Sequence, residues 1–155
     1  MLDRPSDTAS GVSFWLARHG RSAAAARRLL RTFLAATPGG GDFDWEADLL
    51  LSELVANAVT HARVPPGPLI RIRFGLEFGR LRIEVHDGSA VVPHAREVDR
   101  LDESGRGMHL VGALAEAWGV GPRADGPGKV VWATLAPRTD RHAPDSPSTT
   151  DGRDG

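Results

Sequence analysis

The stretch IRIRFGLEFGRLRIEVHD, residues 70–87, is the clearest structural signal in the chain. Apolar side chains alternate with charged ones on both sides of Gly79-Arg80, which is the period of two that a half-buried β-strand shows. Gly79-Arg80 itself suits a two-residue turn between antiparallel strands. The stretch therefore predicts a β-hairpin that ends at His86-Asp87.

Two helices are predicted before this hairpin. The first covers residues 23–36, where apolar side chains recur at helical spacing and Ser22 is placed to cap the N-terminus. The second begins at Asp42 or Asp44 and continues to about residue 63, with a buried stripe of leucine, valine and alanine. A proline-rich segment then breaks this helix before the hairpin.

The remaining elements lie at the two ends of the chain. Residues 12–17 are apolar and partly β-branched, which favours a short strand. Residues 88–106 lack any clean period, which is typical of a functional lid. A helix is predicted over 108–117, and a second hairpin over 118–123 and 129–136. Helices packed on a mostly antiparallel sheet make an α+β protein, a two-layer sandwich.

Composition limits the classes of protein to which this chain of 155 residues can belong. It has room for one domain, predicted over 12–136, between a disordered lead (1–11) and a disordered tail (137–155). No apolar run is long enough to span a membrane, and the lead lacks the apolar core of a secretory signal. The absence of cysteine excludes thiolate metal sites and favours a cytoplasmic location, and a net charge of −1 gives no electrostatic reason to expect nucleic acid.

Glu53 and Asn57 are the first pair of candidate functional residues. They lie one helical turn apart, at the edge of the apolar stripe of the second helix. A carboxamide oxygen suits Mg²⁺, and a carboxylate one turn earlier could act as a general base. Taken alone, the pair is more typical of an ordinary helix surface.

Asp87 and Gly88 follow the last strand of the first hairpin. A carboxylate at the end of a strand can accept a hydrogen bond from an exocyclic amine such as that of adenine, and a glycine lets a flat ring approach the backbone. The same dipeptide is common in simple β-turns, which is the alternative interpretation.

The stretch Gly105-Arg106-Gly107 directly precedes the predicted helix at Met108. Glycines before a helix N-terminus expose N–H groups and suit a phosphate, although Gly-x-Gly alone is a weak signal. Lys129, the single lysine of the chain, starts the last strand. It could reach a phosphate, hold the lid, or be a solvated hairpin residue.

In this order, the three motifs resemble those of the histidine-kinase-like (Bergerat-type) ATPase superfamily over roughly residues 12–136. Residues 53–62 resemble its asparagine box, residues 87–89 its first glycine box and residues 105–107 its second. Residues 128–132 are similar to its closing strand motif. The resemblance implies helices on a mostly antiparallel mixed sheet that binds ATP and Mg²⁺.

The resemblance also implies roles for individual residues. Asn57 would bind Mg²⁺, Glu53 would be the general base, and Asp87 would accept the adenine amine. The further cofactor-binding positions are Gly88, Gly105, Arg106, Gly107 and Lys129. Val130 departs from the family pattern, because threonine often stands there beside the adenine, and the change is expected to weaken nucleotide binding.

The string ESGRG at 103–107 is more typical of the branch of small bacterial anti-sigma-factor serine kinases than of sensor histidine kinases. A protein of this type binds a sigma factor or another regulatory protein and phosphorylates a serine or threonine of an antagonist protein. The resemblance leaves room for a homodimer and implies no direct contact with nucleic acid or membrane. Two alternatives stay open: a nucleotide-dependent binding switch without phosphoryl transfer, and an interaction domain that has lost nucleotide.

Overall fold

A computed structural model of the chain describes residues 11–60, 69–87, 103–124 and 128–141, the side chains of 103–107 and 141 excepted. The strands are β1 (Val12–Ala17), β2 (Leu69–Glu77), β3 (Arg80–Asp87), β4 (Ala117–Pro122) and β5 (Lys129–Leu135). The helices are α1 (Ser22–Ala36), α2 (Trp45–Thr60), α3 (Glu103–Leu114) and the single turn α4 (Arg138–Arg141), with a 3₁₀ turn at Gly40–Asp42.

The five strands form one sheet in the order β1-β2-β3-β5-β4. Every pairing between these described strands is antiparallel. The resemblance implied a mixed sheet, but the described sheet contains no parallel pair. Helices α1, α2 and α3 all pack on it, and α2 contacts the central strand β3 and its neighbour β5. The predicted two-layer α+β sandwich is confirmed.

The core lies between the helices and one face of the sheet. The inward side chains of the hairpin, among them Ile72, Phe74 and Ile83, are fully buried. They meet the apolar stripe of α2, where Leu50 and Leu54 are also fully buried. Burying a side chain of this size contributes about 1.5–3 kcal/mol to stability. The apolar residues, at period two in the strands and at helical spacing in α2, therefore determine which face of the sheet packs against the helices.

The two long helices begin in different ways. Asp44 caps α2, because its Oδ1 accepts the backbone N–H of Glu46 at 3.2 Å. The prediction that Ser22 caps α1 is wrong. The hydroxyl of Ser22 donates instead to the carbonyl of Ala17, so it ties the helix to the end of β1.

Helix α3 begins earlier than predicted. It starts at Glu103 instead of Met108, and it therefore includes the two glycines that were expected to precede it. It ends at Leu114, because Ala117 already pairs with β5 as the first residue of β4.

The turn of the first hairpin is displaced by one residue from its predicted place. Phe78 and Gly79 form it, with φ angles of 51° and 73°, whereas Arg80 already pairs with Glu77. Two positive φ angles in succession define the type I′ turn that suits the twist of a hairpin. Glycine adopts this conformation without strain, but phenylalanine does not.

Two surface tryptophans and the C-terminal segment complete the fold. Trp15 and Trp45 are 56% and 63% exposed. The tail, expected to be disordered from residue 137, begins with α4, where Asp140 binds Arg80 at 3.2 Å. Residues 1–10 and 142–155 lie outside the described part of the chain. No helix among the described residues is both long and apolar enough to cross a membrane.

Candidate functional site

Three of the candidate residues lie towards the same end of the helix–sheet sandwich. Helix α2 packs on β3 and β5, and Asp44 at its start lies 3.9 Å from Arg138, just after β5, so Asn57 in the last turns of α2 lies towards the opposite end of that strand. Asp87 is the last residue of β3 and Lys129 is the first residue of β5, and the two are direct partners across the antiparallel pair. The chain therefore brings the proposed metal ligand and the proposed base-reading carboxylate to the same end of the sheet.

Asn57 is the most unusual side chain of this group. It is only 4% exposed, and neither its Oδ1 nor its Nδ2 has a hydrogen-bond partner among the described residues. Leaving a buried polar group unsatisfied costs about 1–3 kcal/mol, so such a group is rare unless a ligand completes it. Glu53, one turn earlier on the same helix, is partly exposed.

Asp87 and Lys129 form a buried pair of opposite charges. Their side chains are 2% and 4% exposed, and Nζ of Lys129 lies 3.9 Å from Oδ2 of Asp87. Burial lowers the pKa of Lys129, and the negative charge of Asp87 offsets part of that effect. The interpretation of Lys129 as a solvated hairpin lysine is therefore wrong.

Val130 does not share a face with Asp87. Its partner across the sheet is His86, and neighbouring residues of a strand point to opposite faces, so Val130 lies on the far side from Asp87 and Lys129. Val130 therefore cannot weaken nucleotide binding through a direct contact with a base bound at Asp87.

The phosphate-binding part of the predicted site is described only through its backbone. Gly105, Arg106 and Gly107 lie in the first two turns of α3, which packs against α2. The N–H groups of the residue before a helix and of its first three residues have no intrahelical acceptor, so that of Gly105 is available and those of Arg106 and Gly107 are not. Gly88 and the rest of the predicted lid to residue 102 lie outside the described residues.

A polar cluster on the opposite face of the sheet was not found by sequence reasoning. Glu84 is only 4% exposed and accepts hydrogen bonds from His86 at 3.0 Å and from Arg82 at 2.9 Å. Burial raises the pKa of Glu84, but these hydrogen bonds and the neighbouring charges outweigh burial and lower the pKa from 4.5 to about 2.

Arg82 also connects this cluster to the last strand. Its guanidinium lies 4.5 Å from the ring centre of Trp132, a cation–π contact. Gly119 on β4 lies beneath that ring, and an added Cβ there would come within 2.8 Å of it. These five residues (Arg82, Glu84, His86, Trp132 and Gly119), which we call the outward cluster, therefore lie along β3 on the face of the sheet opposite Asp87. Charged residues at alternate positions of one strand were its only sequence signal.

The donor set fits a magnesium–nucleotide complex better than a metal bound by protein alone. Within the described ranges, no group of three His, Asp or Glu side chains could hold a metal. One buried carboxamide with an unsatisfied oxygen matches the way Mg²⁺ is bound, through few protein ligands together with phosphates and water.

Two kinds of comparison relate the chain to known proteins. A solved structure similar to the chain is the histidine kinase domain from the Erythrobacter litoralis EL346 blue-light activated histidine kinase. The two share 16% sequence identity with a TM-score of 0.46, over 81% of this chain and 64% of that one. No curated protein matches the chain. The family model of the histidine kinase-like ATPase domain matches residues 16–135. The chain belongs to the histidine kinase-like ATPase domain family.

Proposed function

We propose that this chain binds ATP together with Mg²⁺ at the end of the sheet defined by Asn57 and Asp87. The observation that carries the proposal is the buried carboxamide of Asn57, whose oxygen and nitrogen both lack a partner among the described residues. A ligand that supplies a hard cation for Oδ1, phosphate oxygens for Nδ2 and an amine donor for Asp87 would satisfy all three groups in one step. Family membership supports the same ligand class.

The chain's own residues would divide the nucleotide between them. Asp87 would accept the exocyclic amine of adenine, with the backbone of Gly88 beside the ring. The free N–H group of Gly105 in the first turn of α3 would donate to the phosphates. Asn57 would hold Mg²⁺ through Oδ1, and the bound cation would neutralise charge on the phosphates.

We further propose a regulatory kinase role of the anti-sigma-factor type. Glu53 would act as the general base that removes the proton from a serine or threonine hydroxyl of an antagonist protein. Its partial exposure next to the buried Asn57 supports this role, because a base must reach a group on another protein. The regulatory partner would be a sigma factor or a protein of similar function. Positioning and charge neutralisation would supply most of the rate enhancement.

The first experiment tests nucleotide binding. Thermal unfolding of the parent is measured with and without ATP, in the presence and absence of Mg²⁺. Ligand at 100 times its dissociation constant adds about 2.7 kcal/mol to the stability, which is an easily measured shift. Asn57→Ala should weaken ATP binding chiefly when Mg²⁺ is present. No shift of the parent at millimolar ATP with Mg²⁺ would reject the proposal and leave only the interaction-domain alternative.

The second experiment separates phosphoryl transfer from binding. Glu53→Gln keeps the size and polarity of the side chain but removes the base. It should therefore bind ATP like the parent while its transfer rate to an antagonist protein falls by roughly 10²–10⁴-fold. Equal transfer by both proteins would exclude Glu53 as the base. ATP binding without transfer by the parent to any antagonist would favour the binding switch.

A further inference from the structure

Lys129 has a location that its predicted roles do not explain. It is the single lysine among the 19 Lys and Arg residues of the chain, and its side chain is 4% exposed, unlike that of a typical surface lysine. The register of β3 and β5 places it directly opposite Asp87. Both side chains point to the helix-covered face, because each continues the inward alternation of its own strand.

We infer that Lys129 is a positioning residue for the base of the nucleotide, acting through Asp87 as its fixed counter-ion. The inference rests on the proposed function, since it assigns Asp87 to adenine. It contradicts the expectation that Lys129 reaches a phosphate or holds the lid. The ammonium lies at the base-reading carboxylate, where strand pairing fixes both backbones.

The need for a cation follows from the burial of Asp87. An ionised carboxylate that is 2% exposed has lost most of its hydration, and a buried charge is tolerated only when it is paired. Lys129 supplies that charge from the neighbouring strand. Removing it would leave Asp87 to turn towards other donors or towards water, so that its acceptor oxygens would no longer be fixed for a ligand amine.

The distance explains why a lysine is suited to this position. At 3.9 Å, Nζ attracts Oδ2 through its charge but is too far for a direct hydrogen bond, so it does not use an acceptor position on that oxygen. An arginine would present a planar fork that binds carboxylates through two hydrogen bonds and would compete with the adenine amine. A compact point charge compensates Asp87 without occupying it.

The test compares nucleotides that share a base and differ in phosphates. Dissociation constants for ATP, ADP and AMP are measured for the parent and for Lys129→Met, which keeps the length of the side chain and removes its charge. Lys129→Gln serves as a second variant should the methionine variant not fold. Arg80→Met is the matched control, because it removes a cation from the other end of β3, where Arg80 pairs with Glu116 and Asp140.

We expect Lys129→Met to weaken all three nucleotides by the same factor, roughly ten- to hundredfold, which is the value of a hydrogen bond to a charged group. In an Asp87→Asn background the same change should cause no further loss, because the carboxylate it positions is gone. Arg80→Met should leave all three constants unchanged. Each constant is measured at a temperature where unfolding curves show the variant to be folded.

Three results would overturn the inference while leaving the proposed function intact. The first is unchanged binding by the Lys129 variants. The second is a loss that grows with the number of phosphates, which would place Lys129 at the phosphates. The third is a loss of the same size in the Asp87→Asn background. A parent that fails to bind ATP would instead reject the proposed function, and the inference with it.

Discussion

The two faces of β3 are buried by opposite means. The inward face carries Ile83 and Val85, which pack under α2 as part of the apolar core. The outward face carries Glu84 and His86, which are only 4% and 8% exposed although α1, α2 and α3 all pack on the other side of the sheet. One strand therefore combines an apolar face with a charged face that is almost equally buried.

This difference separates two kinds of stabilisation. Apolar burial needs no partner of defined chemistry and depends little on pH. The outward cluster requires each hydrogen bond to be in place, because a buried charge without its partner is costly. Asp87 stands at the end of this strand, so its position depends on both faces. Changes on the two faces should consequently differ in size and in their dependence on pH.

The largest effect is expected on the inward face. Ile83→Ala removes a fully buried side chain in the centre of the sheet and leaves a cavity, which should lower the free energy of unfolding by about 2–5 kcal/mol. Urea denaturation at pH 7 measures it. A loss below about 1 kcal/mol would mean that the core beneath α2 is not closely packed.

The stabilisation that the outward face provides should depend on pH. The folded-state pKa of Glu84 is about 2 against 4.5 for the unfolded chain, so its stabilisation is fully present above pH 4.5 and is lost as the pH falls towards 2. The difference between the two pKa values corresponds to a contribution of at most about 3 kcal/mol to the free energy of unfolding. Glu84→Gln should therefore be less stable than the parent at pH 7, and the gap should narrow at pH 3.

Glu77→Gln is the control for this prediction. Glu77 lies on β2 at the hairpin end of the same sheet, so the change removes one negative charge without touching the cluster. A gap between the parent and Glu84→Gln that stays constant from pH 7 to pH 3 would mean that the hydrogen bonds to the carboxylate do not stabilise its ionised form.

A smaller effect is expected where the cluster meets β4. Gly119→Ala places a Cβ within 2.8 Å of the ring of Trp132, so the ring must move and its contact with Arg82 is disturbed. Overpacking of this kind costs about 1–3 kcal/mol. Gly121→Ala is a matched control on the same strand and face, because an added Cβ there meets nothing within 4 Å. Equal stability of the two variants would contradict the close contact between the Trp132 ring and Gly119.

The layers of the fold could be predicted because their signals are local. The alternation on both sides of the hairpin turn needs only consecutive residues, and the stripe of α2 needs only helical spacing. Asp44 was one of two candidates for the start of α2, since a short acidic side chain before an apolar run is a common cap. Each of these features can be read within a few turns of chain.

The features that the sequence did not reveal depend on register between distant segments. The contact of Gly119 with Trp132, and the pairing of Asp87 with Lys129, exist only once the order and register of β3, β4 and β5 are fixed. Helix α3 was predicted too short for a different reason. Its glycines have low helix propensity, and tertiary packing against α2 outweighs that preference.

The smallest effect is expected at Phe78, in the turn that joins β2 and β3. Its side chain is fully exposed and its φ angle is 51°, so it bears the strain of a left-handed conformation without any gain from burial. Phe78→Asn would give the Asn-Gly pair that type I′ turns prefer, and should raise the free energy of unfolding by about 0.5–1 kcal/mol. Phe78→Leu keeps the strain and serves as the control, which should show no such gain. A loss of stability in Phe78→Asn, measured by urea denaturation beside the parent, would mean that the ring makes a stabilising contact.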